Sequence, residues 1–547
     1  MSTIKDLYKS WKGYLWLPVL AAGIIKLMVI LSGRVPFNAD EAVVALMARH
    51  IRQGSFPLFF YGQAYMGSLD ALLIAIGFGV FGEKVVVIRA VQAVLYLGTV
   101  ALGVELGKRL FRSRRIGLLS GLLLAVPTVN VTLYTTATLG GYNELLLIGN
   151  GMLLLTLALG EEINNRKFHH LEKLLIYGAA WGALAGLGLW AFGFSLIYVL
   201  PAGLLLILYS LQPLRRARRT VVYILWGGVL AGFLLGATPV WIFLSRQDGS
   251  AFLQELMGSA VAVSGQIPVL LQPFVRLYSF LLLGTTVIIG LRPPWGVRWL
   301  MLPLIPFTLA YWLGVIISSL RTWWVKKVSA EKALLLAGPP LLVITGFLLT
   351  PFGNDPSGRY FIPLVVPLGI LAAKKTLDWA RGRPWVVVLL MSLVMLFNLG
   401  GILQSLSDFP PGLTTQFDPI SQVNHQDMDR LIAFLEEEGA TRGYTNYWVS
   451  YPLAFLSGEE LIFIPRLPYH EDFRFTPRDD RYPPYAQAVR EADQVAYITT
   501  HHQALDEYLR KKFAERGMDW KEAQIGDYQV FYDLSQAIRP QDMELGG

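Results

Sequence analysis

The sequence predicts a mainly α, polytopic membrane bundle of about 12 or 13 spans with a small α/β soluble domain at its C-terminal end. Three observations predict it. The chain of 547 residues is 54% hydrophobic and only 16% charged, the balance of a membrane protein. Apolar runs recur from residue 14 to residue 404, with basic residues gathered in the short loops between them. After about residue 408 long apolar runs stop, and polar residues mix with short apolar segments.

Taken in order, spans are expected near 14–32, 85–107, 116–136, 141–160, 174–191, 194–211, 220–245, 274–291, 299–320, 333–350, 359–373 and 385–404. Lys5, Lys9 and Lys12 precede the first run, and no convincing cleavage site follows it. It reads as an uncleaved signal anchor with a cytoplasmic N-terminus. The run at 68–82 is short and carries Asp70 and nearby glycines. If it crossed, the basic loop at 108–115 would face outward. Placed in the interface, it leaves that loop inside, together with Arg166, Lys167 and Lys173 and the group Arg215, Arg216, Arg218 and Arg219. Counting back from Lys374, Lys375, Arg381 and Arg383 disagrees by one crossing, so either a further span lies near 252–271 or one of the spans near 274–320 is misjudged. Domain boundaries follow: 1–407 for the membrane part, with a first outer loop at 33–84 carrying surface helices, and 408–547 for an extracytoplasmic domain. In that domain 427–438 and 503–516 read as helices, and 461–464, 495–498 and 528–533 as strands.

Several function classes lose ground at once. Cysteine is absent, which excludes disulfides, thiolate metal sites and a cysteine nucleophile. His169-His170 and His501-His502 have no partners at zinc-like spacing. Neither a phosphate-cradling glycine loop nor Gly-X-Ser-X-Gly occurs. The net charge of +8 belongs to the loops and calls for no nucleic acid.

Candidate chemistry concentrates in outer loops. Asp40 and Glu41 follow the first span, where paired carboxylates are costly unless something uses them; capping a helix with Asn38 or Asp40 is the plainer reading. Tyr61, Gln63, Tyr65 and Asp70 lie in a glycine-containing stretch that offers close backbone approach and aromatic platforms for a sugar. Tyr142 and Glu144 open a span, where a carboxylate needs a partner. Arg359 and Tyr360 precede the eleventh span; an outward-facing arginine there suits a lipid phosphate or simply snorkels. In the tail, Tyr444-Thr445-Asn446-Tyr447-Trp448 mixes aromatic and polar groups, as sugar-binding surfaces do and as a strand edge under a helix also does.

These features in this order resemble the GT-C membrane glycosyltransferases, in particular the protein O-mannosyltransferase and lipid A aminoarabinose transferase group. The likeness covers roughly residues 10–405. It rests on the Asp-Glu pair, on Tyr61 to Asp70, which is similar to bacterial members of the family 39 type, and on Arg359-Tyr360-Phe361-Ile362-Pro363 with Pro367. The resemblance implies transfer of a hexosyl or pentosyl unit from a polyprenyl-phosphate-linked donor, with inversion, to an acceptor hydroxyl at the outer face of the plasma (inner) membrane. The acceptor is a glycan, a lipid or a protein. It further implies that Asp40 acts as general base or holds a metal, that Glu41 is the second acid, and that Arg359 stabilises the phosphate leaving group; a divalent cation stays open. The chain departs from the pattern where aminoarabinose transferases carry Glu-Lys-Pro-Pro: Tyr65-Met66-Gly67-Ser68 stands near that place. A lipid-linked-sugar flippase and a non-catalytic scaffold are the competing readings.

Overall fold

The computed structural model describes residues 15–164, 171–215, 219–246, 249–258, 268, 270–325, 328–355 and 357–545. Expectations resting on Lys5, Lys9, Lys12, Arg166, Lys167, His169, His170, Arg216, Arg218 and most of 259–269 lie outside those residues. Among the described residues, nine helices are long and apolar enough to cross a membrane, from Val85–Phe111 to Pro384–Ser407. The chain is a multi-pass membrane protein.

Nine is fewer than 12, and the other three expected spans differ for identifiable reasons. The stretch 116–136 is two helices, Arg114–Ala125 and Val129–Tyr134. Pro127 separates them, since proline disfavours helical backbone at the residue before it, and Val126 sits at φ −119°, ψ 73°. The stretch 274–291 is interrupted by a π-helical turn at Phe280–Gly284. The first span is described from Trp16 to Leu31 only, 16 residues. Leu69–Phe81 has 13 residues, about 20 Å at 1.5 Å per residue, short of the roughly 30 Å hydrocarbon core.

One helix pair shows how the bundle closes. Gly178, Gly182 and Gly186 of Leu171–Ala191 face Gly228, Gly232 and Gly236 of Arg219–Gly236. A Cβ on Gly182 would overlap the carbonyl oxygen of Val229, and one on Gly232 that of Ala179. Two four-residue glycine repeats thus let the backbones touch, the usual device where apolar lipid gives no hydrophobic incentive to pack.

The soluble part is a five-stranded sheet of order β2-β1-β3-β5-β4. Its strands are β1 Arg442–Thr445, β2 Ile462–Pro465, β3 Ala496–Thr500, β4 Lys521–Ile525 and β5 Tyr528–Tyr532. β1 is parallel to both β2 and β3, while β5 runs antiparallel to β3 and β4. Helices Met428–Glu437 and Gln503–Glu515 pack Leu431, Leu435, Leu505, Leu509 and Phe513 into its cores. The fold class is the one expected: a largely helical bundle with a small sheet near the C-terminus.

Helix Ala39–Arg52 lies between the two parts and is buried on nearly every side. Arg49 pairs with Glu83 at 2.7 Å and donates to the Phe455 carbonyl at 3.0 Å. His50 bridges Tyr61 at 2.8 Å and Glu459 at 3.0 Å. The segment between helices Trp16–Leu31 and Val85–Phe111 is therefore sandwiched between bundle and sheet domain, and the two parts meet around Asp40.

Candidate functional site

Asn38 caps helix Ala39–Arg52 by accepting from the Glu41 amide at 2.9 Å. Cap duty therefore falls on Asn38, and the carboxylate of Asp40 is free for something else. It stands half-buried in the first turn, where the helix end favours negative charge. Asp40 accepts a hydrogen bond of 2.5 Å from the Tyr447 hydroxyl of the soluble domain. Around this contact is a cavity of about 300 Å³, at the lower end of roughly 300–1,000 Å³ for small-molecule sites.

One wall comes from the membrane part. Asp40, Gln63, Tyr65, Tyr134, Asp355 and Arg359 line it. Arg359 reaches this wall through a short structured loop. Asp355 accepts from the Ser357 amide at 2.8 Å, Gly358 adopts φ +82°, and Asn130 holds the Gly358 carbonyl at 3.1 Å. The guanidinium pairs with Asp355 at 2.5 Å and donates to Tyr360 at 3.3 Å, while its Nε has no partner. Beyond Tyr65 and Tyr360 lies a second cavity of about 300 Å³, walled by Phe192, Leu196, Leu342 and Phe347. The polar chamber thus adjoins an apolar cleft between helices, and Tyr65 belongs to both.

The other wall comes from the soluble domain: Tyr447, Trp448, Tyr469, Arg478, Asp479 and Arg481. Asn446 caps helix Tyr447–Leu456 and sets the two rings at its start. The Tyr451 hydroxyl accepts from the Arg481 amide at 2.5 Å and donates to the Asp479 carbonyl at 3.0 Å, fixing the loop that carries both. Burial pushes the Asp479 carboxyl up to about 7; Arg481 pulls it down and Asp40 pushes it further up. With its oxygen turned inward, the Gln63 carboxamide accepts from both terminal nitrogens of Arg481 and ties the walls together.

Asp40, Gln63, Tyr65 and Arg359 therefore converge on the chamber, and Tyr360 on the adjoining cleft. The remaining sequence candidates do not line either. Glu41, adjacent to Asp40 in sequence, points the opposite way into a two-pronged pair with Arg89 at 3.1 and 3.2 Å. Burial pushes its carboxyl up and Arg89 opposes that. Asp70 accepts from Gln92 at 2.7 Å and from Thr138, and abuts Glu144 in the packed interior. Tyr61 stacks on Tyr482 with centroids 4.7 Å apart, and Tyr142 packs edge-on against Phe192 at 5.2 Å. Of the two glycines in the stretch, Gly67 serves packing, since a Cβ there would overlap the Trp190 carbonyl oxygen, and Gly62 makes a turn at φ +71° beside Arg481. Sequence reasoning singled out neither Asp479 nor Arg481. Among the described residues, no group of three or more histidine, aspartate or glutamate side chains is placed to hold a metal ion.

No protein-family model matches the chain, and no curated protein matches it. Solved structures do. ArnT from Cupriavidus metallidurans, crystallised with undecaprenyl phosphate, superposes with a TM-score of 0.56 at 14% identity, over 96% of this chain and 99% of that one. Its apo form gives the same TM-score over 94% and 97%. The Archaeoglobus fulgidus oligosaccharyltransferase in its apo form gives 0.51 at 12% identity, over 91% of this chain and 70% of that one; it has also been crystallised with zinc and sulfate. The fold is that of the GT-C membrane glycosyltransferases.

Proposed function

We propose that the protein is a membrane glycosyltransferase that takes a sugar from a polyprenyl-phosphate donor and attaches it to an acceptor hydroxyl at the outer face of the membrane. In this reading residues 1–407 form the transferase domain, the N-terminus is cytoplasmic, and 408–547 cap the site from outside. One observation carries the reading: a polar chamber holding Asp40 and Arg359 adjoins an apolar cleft through Tyr65 and Tyr360. A ligand that is sugar, phosphate and long hydrocarbon in series matches that sequence of environments. The undecaprenyl phosphate bound to ArnT has two of these three parts, the phosphate and the long hydrocarbon.

The steps follow from the groups present. The polyprenyl chain occupies the cleft among Phe192, Leu196, Leu342 and Phe347. Arg359 leaves Asp355 for the donor phosphate, exchanging one charge-assisted pair for another. The acceptor oxygen forms a bond to the anomeric carbon as the bond from that carbon to the phosphate oxygen breaks. The electron pair leaves on the phosphate, where Arg359 stabilises it. The acceptor proton passes to Asp40, held in orientation by Tyr447. Attack opposite the leaving group inverts the anomeric centre. A flippase would not need a carboxylate fixed at the meeting of two domains.

Purified full-length chain with radiolabelled polyprenyl-phosphate sugars, and membrane extract as acceptor source, tests the reading. Asp40→Asn keeps shape and removes basicity, and a loss of about a hundred- to ten-thousand-fold is expected. Near-normal turnover in that variant at matched expression would overturn the assignment.

A further inference from the structure

The soluble domain meets Asp40 with a particular edge of its sheet. β1 lies between β2 and β3 and is parallel to both, so the chain leaves β1 toward one side and returns on the other. In open α/β sheets the crevice outside the carboxyl ends of strands at such a switch point is where ligands bind. Tyr447 and Trp448 follow the carboxyl end of β1 directly, and Tyr469 follows that of β2. Asn446 ties this end of β1 to Thr500 at the end of β3, with a hydrogen bond of 2.8 Å. The edge suited to a ligand is therefore turned onto the catalytic chamber and away from bulk water.

Its chemistry selects a ligand class. Trp448 and Tyr469 are half-buried rings at 6.2 Å, an aromatic wall of the kind on which pyranose faces stack. Beside them Asp479 and Arg481, both buried, present a carboxyl and a guanidinium, the pair that accepts from and donates to neighbouring hydroxyls. Nε of Arg481 and Nη1 of Arg478 are buried without partners. Charge around the chamber cancels: Arg359, Arg478 and Arg481 stand against Asp40, Asp355 and Asp479 in its lining, and Glu255 adds a carboxylate 3.7 Å from Arg478. An anionic acceptor finds no surplus of positive charge here, and a purely apolar one finds buried ionic groups.

We infer that the soluble domain forms the acceptor subsite, and that it binds a neutral saccharide through Trp448, Tyr469, Asp479 and Arg481. This rests on the glycosyltransferase reading for its place in the reaction, though binding itself can be measured without turnover. The donor enters past Arg359 on one flank of Asp40, and the acceptor hydroxyl is presented from the other.

Two measurements test it on the detergent-purified full chain. Saturation-transfer NMR against neutral di- and trisaccharides of glucose, galactose, mannose and N-acetylglucosamine, without donor, should show binding that Asp479→Asn weakens at least tenfold. Trp448→Phe, which preserves the aromatic wall and packing, should weaken it less than Trp448→Ala. In the transfer assay Asp479→Asn should raise the acceptor KM tenfold or more while the donor KM stays within a factor of two. Absence of saccharide binding overturns the inference, as does a variant effect on donor KM alone. Tight use of a peptide or an anionic lipid acceptor with no saccharide competition also overturns it. If saccharides bind but no donor is consumed by the wild type, the transferase reading fails and the subsite stands.

Discussion

The two walls of the chamber are built by opposite means. On the membrane side, every candidate acid is either exposed to the cavity or locked into the interior: Asp40 faces the chamber, while Glu41 is spent on Arg89 and Asp70 on Gln92 and Thr138. On the soluble side, the polar groups sit on loops beyond strand ends, held by single contacts such as those of Tyr451. Charges near lipid are rare and costly, so each must be assigned a partner or a task. Charges on a soluble domain are ordinary, and only the docking of that domain over Asp40 makes Asp479 and Arg481 exceptional.

Adjacent substitutions on the membrane wall should separate sharply. Asp40→Asn should abolish most turnover, by the factor given above, with thermal stability close to wild type. Glu41→Gln should do the reverse, because removing one partner of a buried pair leaves Arg89 uncompensated, at about 3–5 kcal/mol. A lowered melting temperature with retained turnover per folded molecule is the expected outcome. Equal loss of turnover in both variants, at equal folded fraction, would mean that the two acids act as one catalytic unit and would break the distinction.

Arg359 comes next. Arg359→Ala should cost about a hundred- to a thousandfold in kcat/KM, the scale of losing a charge-stabilising donor. Arg359→Lys keeps charge but not the planar fork and should recover only part of it. Donor dependence unchanged in both variants would remove the phosphate from this position. Across the chamber, Tyr447→Phe deletes the hydrogen bond to Asp40 and little else. Bonds to charged groups are worth about 1.5–3 kcal/mol, so a reduction of roughly ten- to a hundredfold in kcat is expected. Its failure to appear, measured at saturating donor and acceptor, would show that Asp40 is oriented by the membrane part alone.

What could be read from the sequence follows the same division. Apolar runs announced nearly every helix of the bundle, and Arg359 stood out because orientation bias did not call for it. The strands with apolar runs, β2, β3 and β5, were legible; β1, reading Arg-Gly-Tyr-Thr, showed only as the strand-edge alternative for Tyr444-Thr445, because its four residues hold no hydrophobic run and pairing on both sides is what makes it a strand. The break at Pro127 was hidden inside an apolar stretch whose hydropathy does not register backbone geometry. Asp40 and Glu41 looked equivalent because adjacency along a helix says nothing of direction: successive residues are about 100° apart, and one turn of that angle sends one acid to the chamber and the other to Arg89. Asp479 carried no signal at all, since its role depends on a loop that meets Asp40 only after both domains have docked.

The smallest effect concerns that meeting. Asp479 faces Arg481 from its own loop, Asp40 from helix Ala39–Arg52, and Tyr469 from the turn after β2. Burial, first, and the charge of Asp40 hold its carboxyl near 7 in the folded protein, against about 3.9 for an unfolded aspartate. A folded value above the unfolded one gives stability that is complete below about pH 4 and is lost as pH rises through about 7. The slope is at most one proton, about 1.4 kcal/mol per pH unit. Melting temperature measured from pH 5.5 to 8.5 should therefore fall more steeply in wild type than in Asp479→Asn. Asp40→Asn removes the like charge that lifts Asp479, so in that variant the fall should shift to lower pH. Parallel curves for all three proteins would mean that the two carboxyls do not sense each other, and that the soluble wall touches the membrane wall without sharing its electrostatics.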